Sequence, residues 1–167
     1  MKSIKIKNKI TINLSWDRID EFCNKIVNEI QKDNFYPDII LTPQRGGFIP
    51  TSIISHKLDC REVLVIDVKR TLSDEIYSEK VMPEFSGSLP LEKFQGKKVL
   101  FIDDVIATGE TFFLLIQKIK NCNPKEIKSA FLVQNDIEFN KSHLSIVLKP
   151  NYLGINANDW VVFPWEQ

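Results

Sequence analysis

The segment VLFIDDVIATGET, residues 99–111, gathers residue types that could do chemistry together. An apolar run ends in two adjacent carboxylates, Asp103 and Asp104, and Thr108, Gly109, Glu110 and Thr111 then open a helix-forming stretch. The start of a helix leaves backbone N–H groups without intrahelical partners, and with the helix dipole they attract a phosphate. Gly109 lets the backbone come close to that anion, and Thr108 and Thr111 add hydroxyls. Carboxylates a few residues away suit hydroxyl donors such as a ribose diol, or a divalent metal. A phosphate cradle beside a diol clamp describes a site for a ribose 5-phosphate. The plainer alternative is a capped helix after a strand with two solvated acids; the apolar strand, paired acids and TGET in one window favour the site. A second candidate is Arg45, Gly46 and Gly47 in PQRGG. The guanidinium offers a planar fork of donors, and two glycines permit a tight turn with amides facing an anion. Lys69 and Arg70 follow another apolar run in a similar position.

These groups need elements to hold them. Residues 4–14 alternate apolar and polar, as a half-buried strand or hairpin does. Ser15 is an expected N-cap for an amphipathic helix over 16–32, with Asp17 in its first turn and Ile19, Phe22, Cys23, Ile26, Val27 and Ile30 at helical spacing. Continuous apolar runs at 38–42, 62–68, 98–103 and 127–134 read as strands covered on both faces. Helices are expected at about 48–58 and 110–121, with Pro50 tolerated in a first turn. This order predicts one α/β domain over residues 1–167, a Rossmann-like parallel sheet flanked by helices. Its core spans about 15–135. Residues 140–167, including a short strand at 145–148 and joined by residues 1–14, are expected as a small cap. In such sheets ligands bind beyond the carboxyl ends of the strands. A polar stretch over 71–96 is long enough to be a functional loop, with Ser73 and Tyr77 as candidate contacts.

Composition narrows the choice. The 167 residues carry 22 basic and 22 acidic side chains, with 43% hydrophobic and 26% charged. That apolar content argues against disorder, and zero net charge argues against coating a nucleic acid. Cys23, Cys60 and Cys122 form no metal-ligand pair or disulfide framework and read as reduced thiols in a cytoplasmic protein. No run approaches the ~18 apolar residues of a membrane span, and the N-terminal residues lack the apolar core of a signal peptide. Neither GxxxxGK[ST] nor GxGxxG follows a strand, which leaves other nucleotide-binding classes without support.

VLFIDDVIATGET resembles the phosphoribosyl-pyrophosphate (PRPP) motif of the type I phosphoribosyltransferases. PDIILTPQRGGFIP resembles the first strand and pyrophosphate turn of their xanthine/hypoxanthine-guanine branch, and NDWVVFPWE that branch's C-terminal base-binding segment. The resemblance covers most of the chain in the right order. It implies transfer of ribose 5-phosphate from PRPP to a purine-like nucleobase with release of pyrophosphate. It implies Asp103 and Asp104 as catalytic residues. PRPP would be bound by Arg45, Gly46, Gly47, Lys69, Asp103, Asp104, Ala107, Thr108, Gly109, Glu110 and Thr111. The base would meet Gln134, Trp160 and Val161, and Mg2+ would meet Asp104 and Glu166. Trp165 is expected to pack rather than bind. Two positions depart from the 6-oxopurine pattern: Ala107 stands where that branch commonly has an Asp, and Gln134 (or Asn135) where it usually has a Lys that reads the exocyclic oxygen. They motivate a second reading, a PRPP- or nucleotide-sensing regulator with little catalysis. The resemblance is compatible with a homodimer or higher homo-oligomer.

Overall fold

The computed structural model describes residues 11–71, 80–86 and 89–166. The expectations for residues 4–10 and for Ser73 and Tyr77 lie outside them. The chain runs β1 (Thr11–Asn13), α1 (Trp16–Lys32), β2 (Ile39–Gln44), α2 (Phe48–Lys57), β3 (Val63–Thr71), β4 (Lys80–Ser86), β5 (Lys98–Ile106), α3 (Glu110–Lys120), β6 (Glu126–Asn135), α4 (Asp136–Lys141), β7 (Tyr152–Ala157) and β8 (Trp160–Val162). Short 3-10 turns lie at Leu91–Phe94, His143–Ile146 and Pro164–Glu166. The main sheet has the order β4-β3-β2-β5-β6-β7. All neighbours are parallel except β3 and β4.

Local sequence explains most of these elements. The Ser15 side chain accepts the Arg18 N–H at 3.4 Å, and Asp17 lies in the first turn of α1, where a negative charge meets the positive end of the dipole. The six apolar positions of its periodic face are all buried. Strand alternation then divides the core between two layers. Ile40, Leu100, Ile102 and Leu132 pack with α1 and with Ile54 of α2. Ile39, Leu41, Val99, Phe101 and Phe131 pack with Phe112, Leu115, Ile116 and Ile119 of α3. Within the second layer Phe101, Phe112 and Phe131 form a triangle with ring centroids 5.0 to 5.7 Å apart.

Besides α4, which lies beyond the expected elements, and the last three residues of β5, which put both acids inside the strand, three segments differ from the sequence expectation. Part of the 71–96 stretch is β4, an antiparallel edge strand paired as Asp67↔Ser86 and Lys69↔Glu84. Its Pro83 has no N–H to give a ladder, which an edge position tolerates. Residues 145–148 are not a strand. Ser142 Oγ accepts the Leu144 N–H at 3.2 Å, and Ser145 Oγ donates to Ser142 O at 2.8 Å. These hydroxyls offer the backbone local partners in place of a ladder, and a 3-10 turn results. Of the tail expected as a cap, Tyr152–Ala157 instead extends the main sheet as β7, in register Ala130↔Tyr152 with β6. β8 pairs with β1 as a separate two-stranded piece, Thr11↔Trp160 to Asn13↔Val162. Among the described residues no helix is long and apolar enough to cross a membrane.

Candidate active site

Neighbouring strands β2 and β5 are followed by connections that leave in opposite directions. After β2 the chain passes through α2 to β3; after β5 it passes through α3 to β6. The helices α2 and α3 pack on opposite faces of the sheet. The carboxyl ends of β2 and β5 therefore diverge into a crevice, the place where open α/β sheets bind ligands. Both sequence candidates, the turn at 45–47 and the segment 103–111, lie on its rim.

They touch. A Cβ added to Gly46 would collide with the Asp104 carboxylate, and one added to Gly47 would meet Thr42 Oγ1, Pro43 O at 2.7 Å and Asp103 Oδ1 at 3.2 Å. The glycines thus let the backbone of the turn lie directly against both acids. The Gln44–Arg45 peptide bond is cis.

Each acid is held by the amide that follows it. Asp103 Oδ1 accepts the Asp104 N–H at 2.9 Å, and Asp104 Oδ1 accepts the Val105 N–H at 2.7 Å. Burial pushes the Asp104 carboxyl up to about 6, and the charge of Glu166 adds to the rise. Glu166 is itself fixed, its Oε2 accepting the Phe163 N–H at 2.8 Å across the last turn of the chain. The C-terminal segment thus brings a second carboxylate into electrostatic contact with Asp104.

Residues 107–111 shape the other wall. Gly109 caps α3 at φ +83°, a left-handed conformation that favours glycine. A Cβ there would also press on Leu148 Cδ1 at 2.8 Å. Ser142 Oγ donates to Thr108 O at 2.7 Å, which fastens the loop from behind. The Thr108 hydroxyl donates to Glu110 Oε2 at 2.9 Å. That hydroxyl, expected to face a phosphate, is directed along the loop in this structure. Ala107 lies half-buried just beyond β5.

The base-binding candidates are divided between the main sheet, which carries Gln134 on β6, and the separate β1/β8 pair, which carries Trp160 and Val161. Gln134 sits near the end of β6, opposite Ile106 of β5 and Asn156 of β7. Its Nε2 donates to Asp136 Oδ1 at 2.7 Å. Asn135 caps α4, its Oδ1 accepting the Glu138 N–H at 3.0 Å. Trp160 and Val161 are half-buried on β8. Trp165 stacks on Phe163 with centroids 4.6 Å apart and packs on Trp16 at 5.9 Å. Lys69 is exposed on β3, opposite Glu84.

A family model, the phosphoribosyl transferase domain, matches residues 13–166. The chain belongs to this family. A solved purine phosphoribosyltransferase from Pyrococcus horikoshii Ot3 superposes with a TM-score of 0.75 at 29% identity, over 94% of each chain. The chain is 23% identical to the hypoxanthine-guanine phosphoribosyltransferase of Schizosaccharomyces pombe, over 94% of its own length and 89% of that protein. It is 30% identical to an adenine phosphoribosyltransferase of Thermotoga maritima, over 58% of each chain.

In this phosphoribosyltransferase one acid escaped the sequence analysis. Asp67 follows buried Ile66 in β3, in register with Gln44 and so next to Arg45. Hydrogen bonds from Ser86 Oγ, at 2.7 Å, and from Gln44 hold its carboxyl below the usual carboxylate range. Its signal was an acid inside an apolar strand, visible in EVLVIDV but without a motif around it. Two of the thiols are inert by contrast. Cys23 and Cys60 are buried, and burial pushes Cys23 up to about 12.

Proposed function

We propose that the protein transfers the 5-phosphoribosyl group of PRPP to a ring nitrogen of a purine base and releases pyrophosphate. The observation that carries this reading is the contact between Gly46–Gly47 and Asp103–Asp104 at the β2/β5 crevice. A donor-rich turn lying against an acid pair supports binding of the leaving group beside the ribose diol. The names of the relatives supply the purine. The bond from the anomeric carbon to the pyrophosphate oxygen breaks, and a bond to the base nitrogen forms. The transition state carries positive charge at the sugar, as in glycoside cleavage. The residues of this chain act by position and charge. The amides at the start of α3 hold the 5-phosphate, and Asp103 and Asp104 accept from the two ribose hydroxyls. Arg45 and the turn amides stabilise charge developing on pyrophosphate. Trp160 stacks on the base, and Gln134 meets its exocyclic group at ring position 6. Ala107 has no side-chain acceptor, so the proton leaving the base nitrogen goes to solvent.

The site fits Mg2+. Asp104 and Glu166 offer hard oxygen donors, and their mutual repulsion is relieved by a cation. Among the described residues no group of three or more His, Cys, Asp or Glu could hold a metal. Mg2+ is commonly bound by one or two carboxylates together with substrate phosphates, which matches this donor set. When bound, it would neutralise charge on pyrophosphate. Three free thiols fit a cytoplasmic setting.

The test is a coupled pyrophosphate-release assay with PRPP, Mg2+ and a panel of adenine, guanine, hypoxanthine, xanthine, uracil and orotate. Release is expected with a purine, and Asp103→Asn with Asp104→Asn is expected to lower kcat/KM by roughly 10³-fold. Full turnover in that double variant would sink the proposal. Saturable PRPP binding without release on any base would move the protein to the sensor reading.

A further inference from the structure

We infer that the base is selected for an exocyclic amino group, a 6-aminopurine over a 6-oxopurine, by a relay from Asp136 through Gln134. The inference rests on the proposed reading that Gln134 meets ring position 6. An amide side chain ordinarily reads either partner, because it carries a donor and an acceptor. Here one end is already committed. The Gln134 amide lies 2.7 Å from Asp136 Oδ1. A carboxylate only accepts, so the group facing it is the NH2; turning the amide over would set two acceptor oxygens against each other. With the nitrogen engaged, Gln134 presents Oε1. That oxygen accepts from an exocyclic amine and repels an exocyclic oxygen.

The relay is built into the backbone on both sides. Gln134 is fixed by its ladder position between Ile106 and Asn156, one strand from the phosphate-binding loop. Asp136 is the first residue of α4, a position held by the Asn135 cap at 3.0 Å and favourable to a negative charge. Asp136 is thus a positioning residue: it touches no substrate and sets which atom of Gln134 does.

Calorimetry with nucleoside monophosphates tests this without requiring turnover. AMP, IMP and GMP are titrated into the wild type, Asp136→Asn and Gln134→Lys, with PRPP titrated into each sample alongside. The wild type is expected to bind AMP roughly 10- to 100-fold more tightly than IMP, the effect of setting a fixed acceptor against an oxygen. Asp136→Asn can accept as well as donate, frees the amide to turn over, and brings the AMP:IMP ratio toward one. Gln134→Lys presents only donors and inverts the ratio. Changes of global stability alone would weaken both nucleotides together and leave the ratio where it was. Tighter IMP or GMP binding by the wild type, with PRPP binding intact, overturns the inference and leaves the phosphoribosyltransferase site standing. An unchanged ratio in both variants overturns it as well. Failure of the wild type to bind PRPP or any of the three nucleotides overturns the site reading and the inference with it.

Discussion

Gly46→Ala is expected to lower kcat/KM by roughly 10²- to 10³-fold while leaving the protein folded. Gly46 has no positive φ, so its backbone accepts an L side chain. The obstacle is one side chain, because the new Cβ falls on the Asp104 carboxylate. That carboxylate can swing aside, so the fold survives. In doing so it gives up the 2.7 Å bond from the Val105 N–H and its position over the crevice. A misplacement of about 1 Å in such a site costs about 10²-fold, and removal of one aligned charge-stabilising group about 10²- to 10³-fold, which sets the expected range. Gly47→Ala is a contrasting case. Its Cβ meets the carbonyl of Pro43 and the hydroxyl of fully buried Thr42, neither of which can move freely. Overpacking of this kind costs about 1–3 kcal/mol, so this variant melts lower as well as losing activity. Thermal melts and steady-state kinetics on the two variants distinguish the cases. Wild-type kinetics in Gly46→Ala would show that the close approach of turn and acid has no part in the reaction.

The different legibility of these two glycines and of the acids has a physical basis. α1 could be located to the residue because its information is local: a cap at Ser15, an acid at Asp17 and six apolar positions on one stripe. β5 and the start of α3 were legible for the same reason, since strand, acids and TGET are contiguous. The contact of Gly46 with Asp104 is not local. It depends on β2 lying beside β5 in the order β3-β2-β5, and pairing order is not written in either segment. β4 was hidden because an edge strand buries little and tolerates Pro83, so KVMPEFS resembles loop. β7 was hidden because Gly154 and Asn156 interrupt its apolar pattern. Gly154 has no room for a side chain, because the Leu132 carbonyl of β6 and Phe22 Cβ of α1, at 2.8 Å, crowd the place a Cβ would take. The relay from Asp136 was invisible for a different reason. Gln134 could be identified as a departure at its position, but the atom it presents is decided by a neighbour two residues away, across the turn into α4.

Asp104→Asn is expected to produce a more stable and far less active protein. The Asp104 carboxyl is pushed up to about 6, first by burial and then by Glu166. Below pH ~3 the group is protonated in folded and unfolded chains alike, and it costs the fold nothing. As pH rises the unfolded chain releases its proton first. The folded state then becomes progressively less favourable until pH passes about 6, where it carries the full cost of a charge held in a poorly solvated site. Asn keeps the shape and the acceptor for the Val105 N–H without that charge. At neutral pH the gain is on the order of 2 kcal/mol, or roughly 4–8 °C in Tm for a chain of this size. The gain should shrink to nothing as the melts are repeated toward pH ~3. Activity moves the other way. The proposed diol and cation contacts need the carboxylate, so wild-type kcat/KM for PRPP should fall about tenfold per pH unit below about 6, and the variant should be far less active at neutral pH and lack that dependence. Ligand linkage separates the two effects. Mg2+ with PRPP offsets the buried charge in the wild type, so its Tm should rise on adding both, whereas the variant should shift little. A variant that melts no higher than wild type at pH 7 would mean that the acid is solvated well enough to be held without cost. A fold that keeps an expensive charge at the floor of its crevice must recover that cost when substrate binds.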